Sequence, residues 1–383
     1  MADVSGGPAQ RIVQALRERG ALSRPELQAE TGLSRGAVTT AAAVLCRQGL
    51  VHEAEPRLTG ALGRPAVVLR LDRRAGLAVG LDIGKRHVRV AVADLAQEVL
   101  GERREEIEPD LSADAVLDLA VALVDAVLQE SGCDRTMIVG AGLAVPGPVH
   151  GPTGELGSAT ILPGWVGVRP RAEVYGRLGV PVLVDNDANV GALAEWTWGA
   201  GQGVTDLAYV KVATGIGCGL ILNGRPFRGA GGTAGEIGHL PVMPNGPVCR
   251  CGNRGCLETV AGAEAVRDLL RPVLGDVEIA SVARRAQEGD LACRRVMADT
   301  GTLIGQAVAS LVNLVNPRRL VIGGPFAAVG DVLLDPLRQA VLRSAIPSAA
   351  AELEVVPSAL AERAEVLGAV ALVLHDPQIP IRT

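Results

Sequence analysis

The amino-acid sequence predicts an α/β protein in which a short, mainly helical segment precedes a larger body of strands and helices. The chain has 383 residues, more than one hydrophobic core usually organises, and 48% of them are apolar, so we expect two or three domains. From Leu77 onward, apolar runs of strand length, among them the strands predicted at residues 77–83 and 138–145, alternate with stretches of helical periodicity. This alternation is typical of α/β domains.

Composition narrows the class of protein. No apolar run is long enough to cross a bilayer, and residues 1–11 lack a signal-peptide pattern, so we expect a cytoplasmic protein without a membrane partner. The net charge of −5 divides into +4 for residues 1–74, where 11 arginines face seven acidic residues, and −9 for the remainder. A basic head is suited to duplex DNA, whereas the 2% content of aromatic residues disfavours base stacking on single strands.

Three helices are predicted within the first 50 residues. The first has an apolar stripe at helical spacing. Ser23 and Glu26, three residues apart, predict a capping box at the start of the second helix, and Gly32 predicts the turn that follows it. Ser34 predicts the cap of a third helix that runs to about residue 48. This order of elements is that of a helix-turn-helix.

The third predicted helix has an apolar face and a polar face. In a helix-turn-helix, the early outward residues of this helix reach base edges in the major groove. Here those residues are Ser34, Arg35, Gly36, Thr39 and Thr40.

Residues 50–51 and 67–71 predict two short strands around a turn rich in glycine and proline. Such a hairpin is typical of a wing, and Arg57 and Arg64 in its turn are expected to contact phosphate or the minor groove. The segment 1–74 is therefore predicted to be an α+β winged helix-turn-helix domain that binds double-stranded DNA. A small helical protein-interaction module with a basic face is the alternative.

Polar residues follow a predicted strand in the body. The apolar run 180–184 leads directly into Asp185, Asn186, Asp187 and Asn189. The carboxyl ends of strands line the ligand crevice in α/β sheets, and carboxylates flanked by amides can bind several hydroxyl groups of one sugar. An Asx-rich turn that caps a helix is the alternative.

A second cluster predicts a metal site. His239, Cys249, Cys251 and Cys256 offer four ligands that suit a tetrahedral Zn²⁺ ion, and no position remains for water, so the ion is expected to be structural. The ion would hold the adjoining Glu236 and Glu258 toward a ligand. Chance clustering of cysteines is the alternative.

Five motifs together resemble the ROK family of repressors and sugar kinases, including its xylose and N-acetylglucosamine repressors. The motifs lie at residues 142–148, 185–189, 214–219, 235–239 and 249–256, and the resemblance covers the chain from Arg11 onward. It implies an actin-like or hexokinase-like body of two α/β lobes with the ligand between them. It also implies a zinc ion held by one histidine and three cysteines, and a homodimer or homotetramer.

The resemblance implies domain bounds and residue roles as well. The first lobe would span residues 75–190 and be completed by a C-terminal helix within 364–383, and the second lobe, with the zinc site, would span 191–363. The residues implied to bind sugar hydroxyls are Asn186, Asp187, Glu236, His239 and Glu258. Asp187 would be the catalytic base if the protein were a kinase.

One phosphate loop departs from the kinase pattern. Kinases of the family read Asp-Ile-Gly-Gly-Thr-Lys where this chain has Asp82-Ile83-Gly84-Lys85-Arg86-His87, so bulky side chains replace a glycine and a small hydroxyl residue. We therefore expect no enzymatic activity. The expected function is a DNA-binding regulator that represses carbohydrate uptake or catabolism genes in response to a sugar or sugar phosphate. An ATP-dependent sugar kinase and a repressor controlled by a protein partner are the alternatives.

Overall fold

The computed structural model describes residues 7–54, 67–73, 75–150, 155–156, 162–165 and 167–376. Within these residues, no helix has both the length and the apolar content needed to span a membrane. The chain divides into two compact units, which consist of residues 1–143, 170–183 and 372–383 and of residues 144–169 and 184–371. The domain bounds implied by the family resemblance stay a prediction.

The described residues form helices and strands in the following order along the chain. The helices are α1 (Pro8–Arg19), α2 (Arg24–Thr31), α3 (Arg35–Arg47), α4 (Ala113–Glu130), α5 (Pro170–Leu178), α6 (Asp187–Trp198), α7 (Leu257–Ala261), α8 (Ala263–Leu274), α9 (Ile279–Gln287), α10 (Leu291–Val315), α11 (Asp331–Ser344), α12 (Pro347–Ala350) and α13 (Ala364–His375). The strands are β1 (Leu22–Ser23), β2 (Val51–Ala54), β3 (Val68–Leu71), β4 (Leu77–Ile83), β5 (His87–Asp94), β6 (Val99–Glu106), β7 (Ile138–Val145), β8 (Val149–His150), β9 (Glu155–Leu156), β10 (Val182–Asn186), β11 (Leu207–Val212), β12 (Ile216–Leu222), β13 (Arg225–Pro226), β14 (Arg319–Gly323) and β15 (Glu354–Pro357).

Three helices and a small sheet form the N-terminal part of the first unit. The predicted capping box of α2 is confirmed, because the Ser23 hydroxyl accepts a hydrogen bond from the backbone N–H of Glu26 while the Glu26 carboxylate accepts one from the backbone N–H of Ser23. The predicted cap of α3 is confirmed as well, since the Ser34 hydroxyl accepts from the N–H of Ala37. Strands β1, β3 and β2 pair antiparallel in that order.

A five-stranded sheet in the order β10-β7-β4-β5-β6 follows. Every residue of β4 and β7 is buried, whereas β6 is exposed along its second half, as expected for central and edge strands. The strands predicted at 77–83 and 138–145 are confirmed at both ends. The run predicted at 180–184 is shifted: β10 begins at Val182 and includes Asp185 and Asn186, so these two polar residues end the strand instead of following it.

The second unit contains another five-stranded sheet in the order β13-β12-β11-β14-β15. Strands β11, β14 and β15 are parallel, and β12 pairs antiparallel with β11. Helices α10 and α11 pack closely at Gly301, which has no side chain: a Cβ atom there would lie 2.3 Å from the carbonyl oxygen of Leu333. Together with the first sheet and its helices, these elements confirm the predicted α/β body.

Candidate functional site

The candidate site is built around the start of α6. Asn186 is the N-cap of this helix: its Oδ1 accepts from the backbone N–H groups of Ala188, at 2.8 Å, and Asn189, at 3.3 Å. Its Nδ2 donates to the carbonyl of Gly147 at 2.9 Å. The helix-cap interpretation is thus correct for Asn186, and the cap fixes where the next residue, Asp187, begins the helix.

Asp185 is buried, and its carboxylate contacts two other side chains. Its Oδ1 accepts from Nδ2 of Asn189 at 2.9 Å, and its Oδ2 lies 2.6 Å from Nε of Arg228. Arg228 is distant in sequence and follows the short strand β13, so no local pattern predicted this contact. Asp185 therefore anchors the strand-to-helix junction.

Asp187 contacts a lysine that sequence reasoning also missed. Its Oδ2 accepts from Nζ of Lys211 at 2.9 Å, and the same ammonium lies 3.1 Å from Oε1 of Glu365 in the first turn of α13. The Tyr209 hydroxyl donates to Glu365 at 3.4 Å, and burial together with the Glu365 charge raises the pKa of Tyr209 well above its usual value. A signal was present in the sequence, because Lys211 is the one charged residue in the apolar strand β11.

Glycines allow the surrounding backbone to approach β12 closely. A Cβ atom at Gly219 would lie 2.2 Å from the carbonyl oxygen of Ala188, so α6 can approach β12 this closely only because the residue there has no side chain. At Gly235 and Gly238, a Cβ atom would lie 1.9 Å and 2.1 Å from the carbonyl oxygens of Cys218 and Ile216. These contacts give the glycines of the motifs at residues 214–219 and 235–239 a packing role. They also bring the segment 235–239 to the strand that supports α6.

Glu236, His239 and Glu258 converge on the same side of this packing. Nε2 of His239 lies 3.8 Å from Oε2 of Glu236, and its Nδ1 lies 3.5 Å from Oε1 of Glu258. Glu258 is held through its other oxygen by Nη2 of Arg250 at 2.9 Å. Burial raises the pKa of Glu236, and the charges of Asp187 and Glu258 add to that rise. The distance of 3.8 Å between Nε2 of His239 and Oε2 of Glu236 suits one ligand hydroxyl group that hydrogen-bonds both atoms.

The predicted metal ligands lie together. The ligand atoms of His239, Cys249, Cys251 and Cys256 are all within 4.8 Å of one another. Cys249 Sγ lies 3.5 Å from Nδ1 of His239, and the Sγ atoms of Cys251 and Cys256 are 3.6 Å apart. A tetrahedral ion with ligands at the usual bond lengths places them about 3.5–3.8 Å apart, so the four residues fit such an ion.

The loop that carries the three cysteines turns sharply at two glycines. Gly252 and Gly255 have φ of 92° and 62°, and a Cβ atom at Gly255 would lie 1.7 Å from the carbonyl oxygen of Met243. Burial raises the pKa of the Cys249 thiol to about 12, so a cation is needed to stabilise the thiolate form at neutral pH. The His239 ring would then present Nδ1 to the cation and Nε2 to Glu236.

In the first unit, His87 covers the loop that departs from the kinase pattern. Its Nε2 lies 3.0 Å from Oδ2 of Asp82, and a Cβ atom at Gly84 would lie 2.2 Å from its Cε1 atom. The imidazole ring therefore lies directly over the one glycine that the loop retains. This contact agrees with a loop whose backbone is shielded from phosphate.

The predicted DNA-contact residues fall into two groups. All five on α3 and its cap are exposed, and the apolar face opposite them is buried. They are Ser34, Arg35, Gly36, Thr39 and Thr40. Arg57 and Arg64 lie outside the described residues.

A protein-family model described as the ROK family matches residues 78–376. The chain belongs to the ROK family. The xylose repressor of Caldicellulosiruptor bescii is 28% identical over 380 residues, which cover 95% of this chain and 94% of the relative. The crystal structure of a ROK family transcriptional regulator, a homologue of the E. coli MLC protein, superimposes with a TM-score of 0.81 at 27% identity over 97% of each chain.

Kinases of the ROK family match a shorter part of the chain. The glucokinase of Thermotoga maritima is 33% identical over 271 residues, which cover 67% of this chain and 85% of the enzyme. The repressor match at 95% coverage must include most of the residues that precede the family model, whereas the kinase match leaves a third of the chain uncovered. The ROK fold of the body confirms the predicted actin-like α/β architecture.

Proposed function

We propose that this protein is a sugar-responsive transcriptional repressor of genes for carbohydrate uptake or catabolism. The similarity to a xylose repressor over 95% of the chain carries this proposal, because it extends beyond the part that the glucokinase matches. A polar helix face in the N-terminal segment and a hydroxyl-binding site in the body are the two parts that such a regulator needs.

The DNA-binding part of the proposal assigns residues 1–74 to a winged helix-turn-helix. Helix α3 would enter the major groove, and Arg35 is the exposed cation at its start. Arg57 and Arg64 would contact the phosphate backbone. A homodimer or homotetramer would place two such helices on half-sites one helical turn apart.

The sugar-binding part assigns the hydroxyl contacts to Asn186, Asp187, Glu236, His239 and Glu258. The carboxylates accept hydrogen bonds from hydroxyl groups, and Nε2 of His239 donates to a hydroxyl oxygen when Nδ1 binds a metal. The metal is proposed to be Zn²⁺, held by His239 and the three cysteines with no open position. Bound there, it would keep the His239 ring and the Glu258 loop in one orientation.

A sugar kinase is the second candidate, favoured by the 33% identity to a glucokinase. Two contacts argue against it. The His87 ring covers Gly84 in the first phosphate loop. Nζ of Lys211 donates a hydrogen bond to one carboxylate oxygen of Asp187, the base that a kinase would use.

DNA binding is tested by fluorescence anisotropy of the full-length protein with the promoter fragment upstream of its own gene and with a scrambled fragment. We expect specific binding, and a sugar from a panel of pentoses and hexoses should change the affinity by about tenfold. Arg35→Ala should abolish specific binding. Arg295→Ala, which removes an exposed arginine from α10 in the body, should leave specific binding unchanged. ATP-dependent sugar phosphorylation without specific DNA binding would refute the proposal.

A further inference from the structure

Lysine is almost absent from this chain. Its 37 lysine and arginine residues comprise 35 arginines and only two lysines, Lys85 and Lys211. Lys85 is exposed in the altered phosphate loop, whereas Lys211 lies in the apolar strand β11. Arginine is the partner of a neighbouring carboxylate, since Nε of Arg228 lies 2.6 Å from Oδ2 of Asp185. The lysine in β11 therefore differs from the cation that this chain uses almost everywhere else.

The contacts of Lys211 explain why a lysine suits this position. Its Nζ atom lies 2.9 Å from Oδ2 of Asp187 in α6 and 3.1 Å from Oε1 of Glu365 in α13. The three side chains are each at most 18% exposed. An ammonium group is a compact charge with three donors, so it can join carboxylates from two different helices. The planar fork of a guanidinium group is better matched to a single carboxylate.

Glu365 has a defined position of its own. Its Oε1 accepts a hydrogen bond from the hydroxyl of the fully buried Tyr209 at 3.4 Å. That hydroxyl is confined, because a Cβ atom at Gly323 would lie 2.2 Å from its oxygen. Helix α13 also packs closely on α6, since a Cβ atom at Gly368 would lie 1.9 Å from the carbonyl oxygen of Val190. The Glu365 carboxylate is therefore held beside α6 by packing as well as by hydrogen bonds.

Both carboxylate oxygens of Asp187 accept hydrogen bonds. Oδ1 accepts from the backbone N–H of Ala188 at 2.9 Å, and Oδ2 accepts from Nζ of Lys211 at 2.9 Å. One such bond would leave the carboxylate free to rotate about that contact, whereas a bond on each oxygen fixes the plane of the group. A carboxylate has about four acceptor positions, so capacity remains for a ligand.

We infer that Lys211 and Glu365 are positioning residues for Asp187. Glu365 holds the ammonium group of Lys211, and Lys211 holds the carboxylate of Asp187 in the orientation that receives the ligand. The inference rests on the proposed function, which makes Asp187 a ligand contact. It adds that the strength of this contact depends on a side chain of α13 that acts only through Lys211.

The orientation of the Asp187 carboxylate can be followed without a ligand. In protein labelled with carbonyl-¹³C aspartate and ¹⁵N alanine, NMR can select the amide signals of Asp–Ala pairs, which occur only at 114–115, 125–126 and 187–188. Glu365→Ala should shift the signal of Ala188, because its N–H donates to Asp187. The other two signals come from α4 and should stay in place. An unshifted Ala188 signal overturns the inference.

The effect on binding is measured by calorimetric titration of the full-length protein with xylose, glucose and N-acetylglucosamine. For a sugar that binds the wild type, Glu365→Ala should weaken the affinity by about fivefold. Glu365→Gln keeps an oxygen acceptor at the same distance along the side chain, so its affinity should stay within about twofold of the wild type. A merely structural role would not predict this recovery.

A destabilised control separates positioning from general loss of stability. Leu337→Ala removes a fully buried side chain from α11, so it should lower the melting temperature. The sugar affinity and the Ala188 signal should both keep their wild-type values in this variant. If Leu337→Ala weakened binding as much as Glu365→Ala, the effect at Glu365 would reflect stability and the inference would fail.

Lys211 is tested in a background with fewer buried charges. Lys211→Met alone would leave two largely buried carboxylates without this ammonium group, so it is combined with Glu365→Gln, which removes one of the two charges. The double variant should bind the sugar at least about tenfold more weakly than Glu365→Gln alone. Equal affinities of these two variants would contradict a positioning role for Lys211.

Failure of the inference and failure of the proposed function give different results. If a sugar binds and releases the promoter fragment, but Glu365→Ala keeps the wild-type affinity, the inference is overturned and the proposed function stands. If no sugar of the panel binds the wild type, the proposed function is overturned, and the Ala188 signal alone decides whether Glu365 positions Asp187.

Discussion

Substitution of Gly219 by alanine should displace the start of α6 and weaken ligand binding. The new Cβ atom would lie 2.2 Å from the carbonyl oxygen of Ala188, whereas a carbon and a carbonyl oxygen need about 3.3 Å. Helix α6 must therefore retreat from β12 by about 1 Å. Overpacking of this kind costs about 1–3 kcal/mol of stability.

The displacement should reach the ligand because Asp187 is the first residue of α6. A shift of about 1 Å moves its carboxylate out of hydrogen-bond range of a sugar held by Glu236 and His239, and the loss of one such bond corresponds to about tenfold in affinity. Calorimetric titration with the effector sugar measures the affinity, and urea denaturation measures the stability.

Gly176→Ala is the matched control, since a Cβ atom there would meet nothing within 4 Å and the residue lies in helix α5. This control should gain about 0.5–1 kcal/mol from helix propensity. If Gly219→Ala kept the wild-type stability and sugar affinity, close packing of α6 on β12 would not be what positions Asp187.

Three further predictions follow from buried or clustered groups. Glu195→Ala should lower the free energy of unfolding by about 3 kcal/mol, measured in urea, because this fully buried carboxylate accepts from the backbone N–H groups of Ala200 and Leu360 and from the hydroxyl of Ser358; a wild-type unfolding midpoint would contradict this. Removal of bound metal by a chelator should lower the melting temperature and weaken sugar binding together, and recovery of both on adding Zn²⁺ is the check. Burial and the Arg17 charge lower the pKa of His375 to about 4, so the unfolded state binds the proton more readily and stability should fall by about 1–3 kcal/mol as the pH drops from 6.5 toward 4. Thermal melts across that range test it, and His375→Gln should lose that part of the pH dependence.

The sequence predicted those strands and helix starts that residues adjacent in the chain determine. Strands β4 and β7 were predictable because they are mainly apolar runs that end at Gly84 and at Pro146, and each is buried on both faces. The caps of α2 and α3 were readable because a serine and its partner lie three residues apart. In these places, the residues that determine the structure are neighbours in the chain.

The contact residues that the sequence did not predict lie far apart in the chain. Lys211 and Glu365 meet at Asp187 only because β11, α13 and α6 pack around one sheet, and Arg228 reaches Asp185 from a turn beyond β13. No local spacing encodes such contacts. A lysine inside an apolar strand was the one available signal, because a buried ammonium group needs a carboxylate partner.

The glycine motifs illustrate a different limit. Their sequence pattern fits both a phosphate-binding loop and close backbone packing, and the two interpretations need the same residue type. Gly219 and Gly235 have a packing requirement that would persist if nucleotide binding were lost. Retained glycines are therefore weak evidence for kinase activity in this chain.

The imidazole of His239 belongs to both the predicted metal cluster and the proposed sugar-binding residues. Nδ1 of this rigid ring lies 3.5 Å from Sγ of Cys249 and Nε2 lies 3.8 Å from Oε2 of Glu236, and the two nitrogens cannot move independently. Diversification of sugar preference can therefore proceed through the surrounding acids while this ring stays fixed. If the proposed Zn²⁺ ion binds Nδ1, loss of that ion would also release the proposed hydroxyl contact at Nε2, and metal supply would then affect the sensing of carbohydrate.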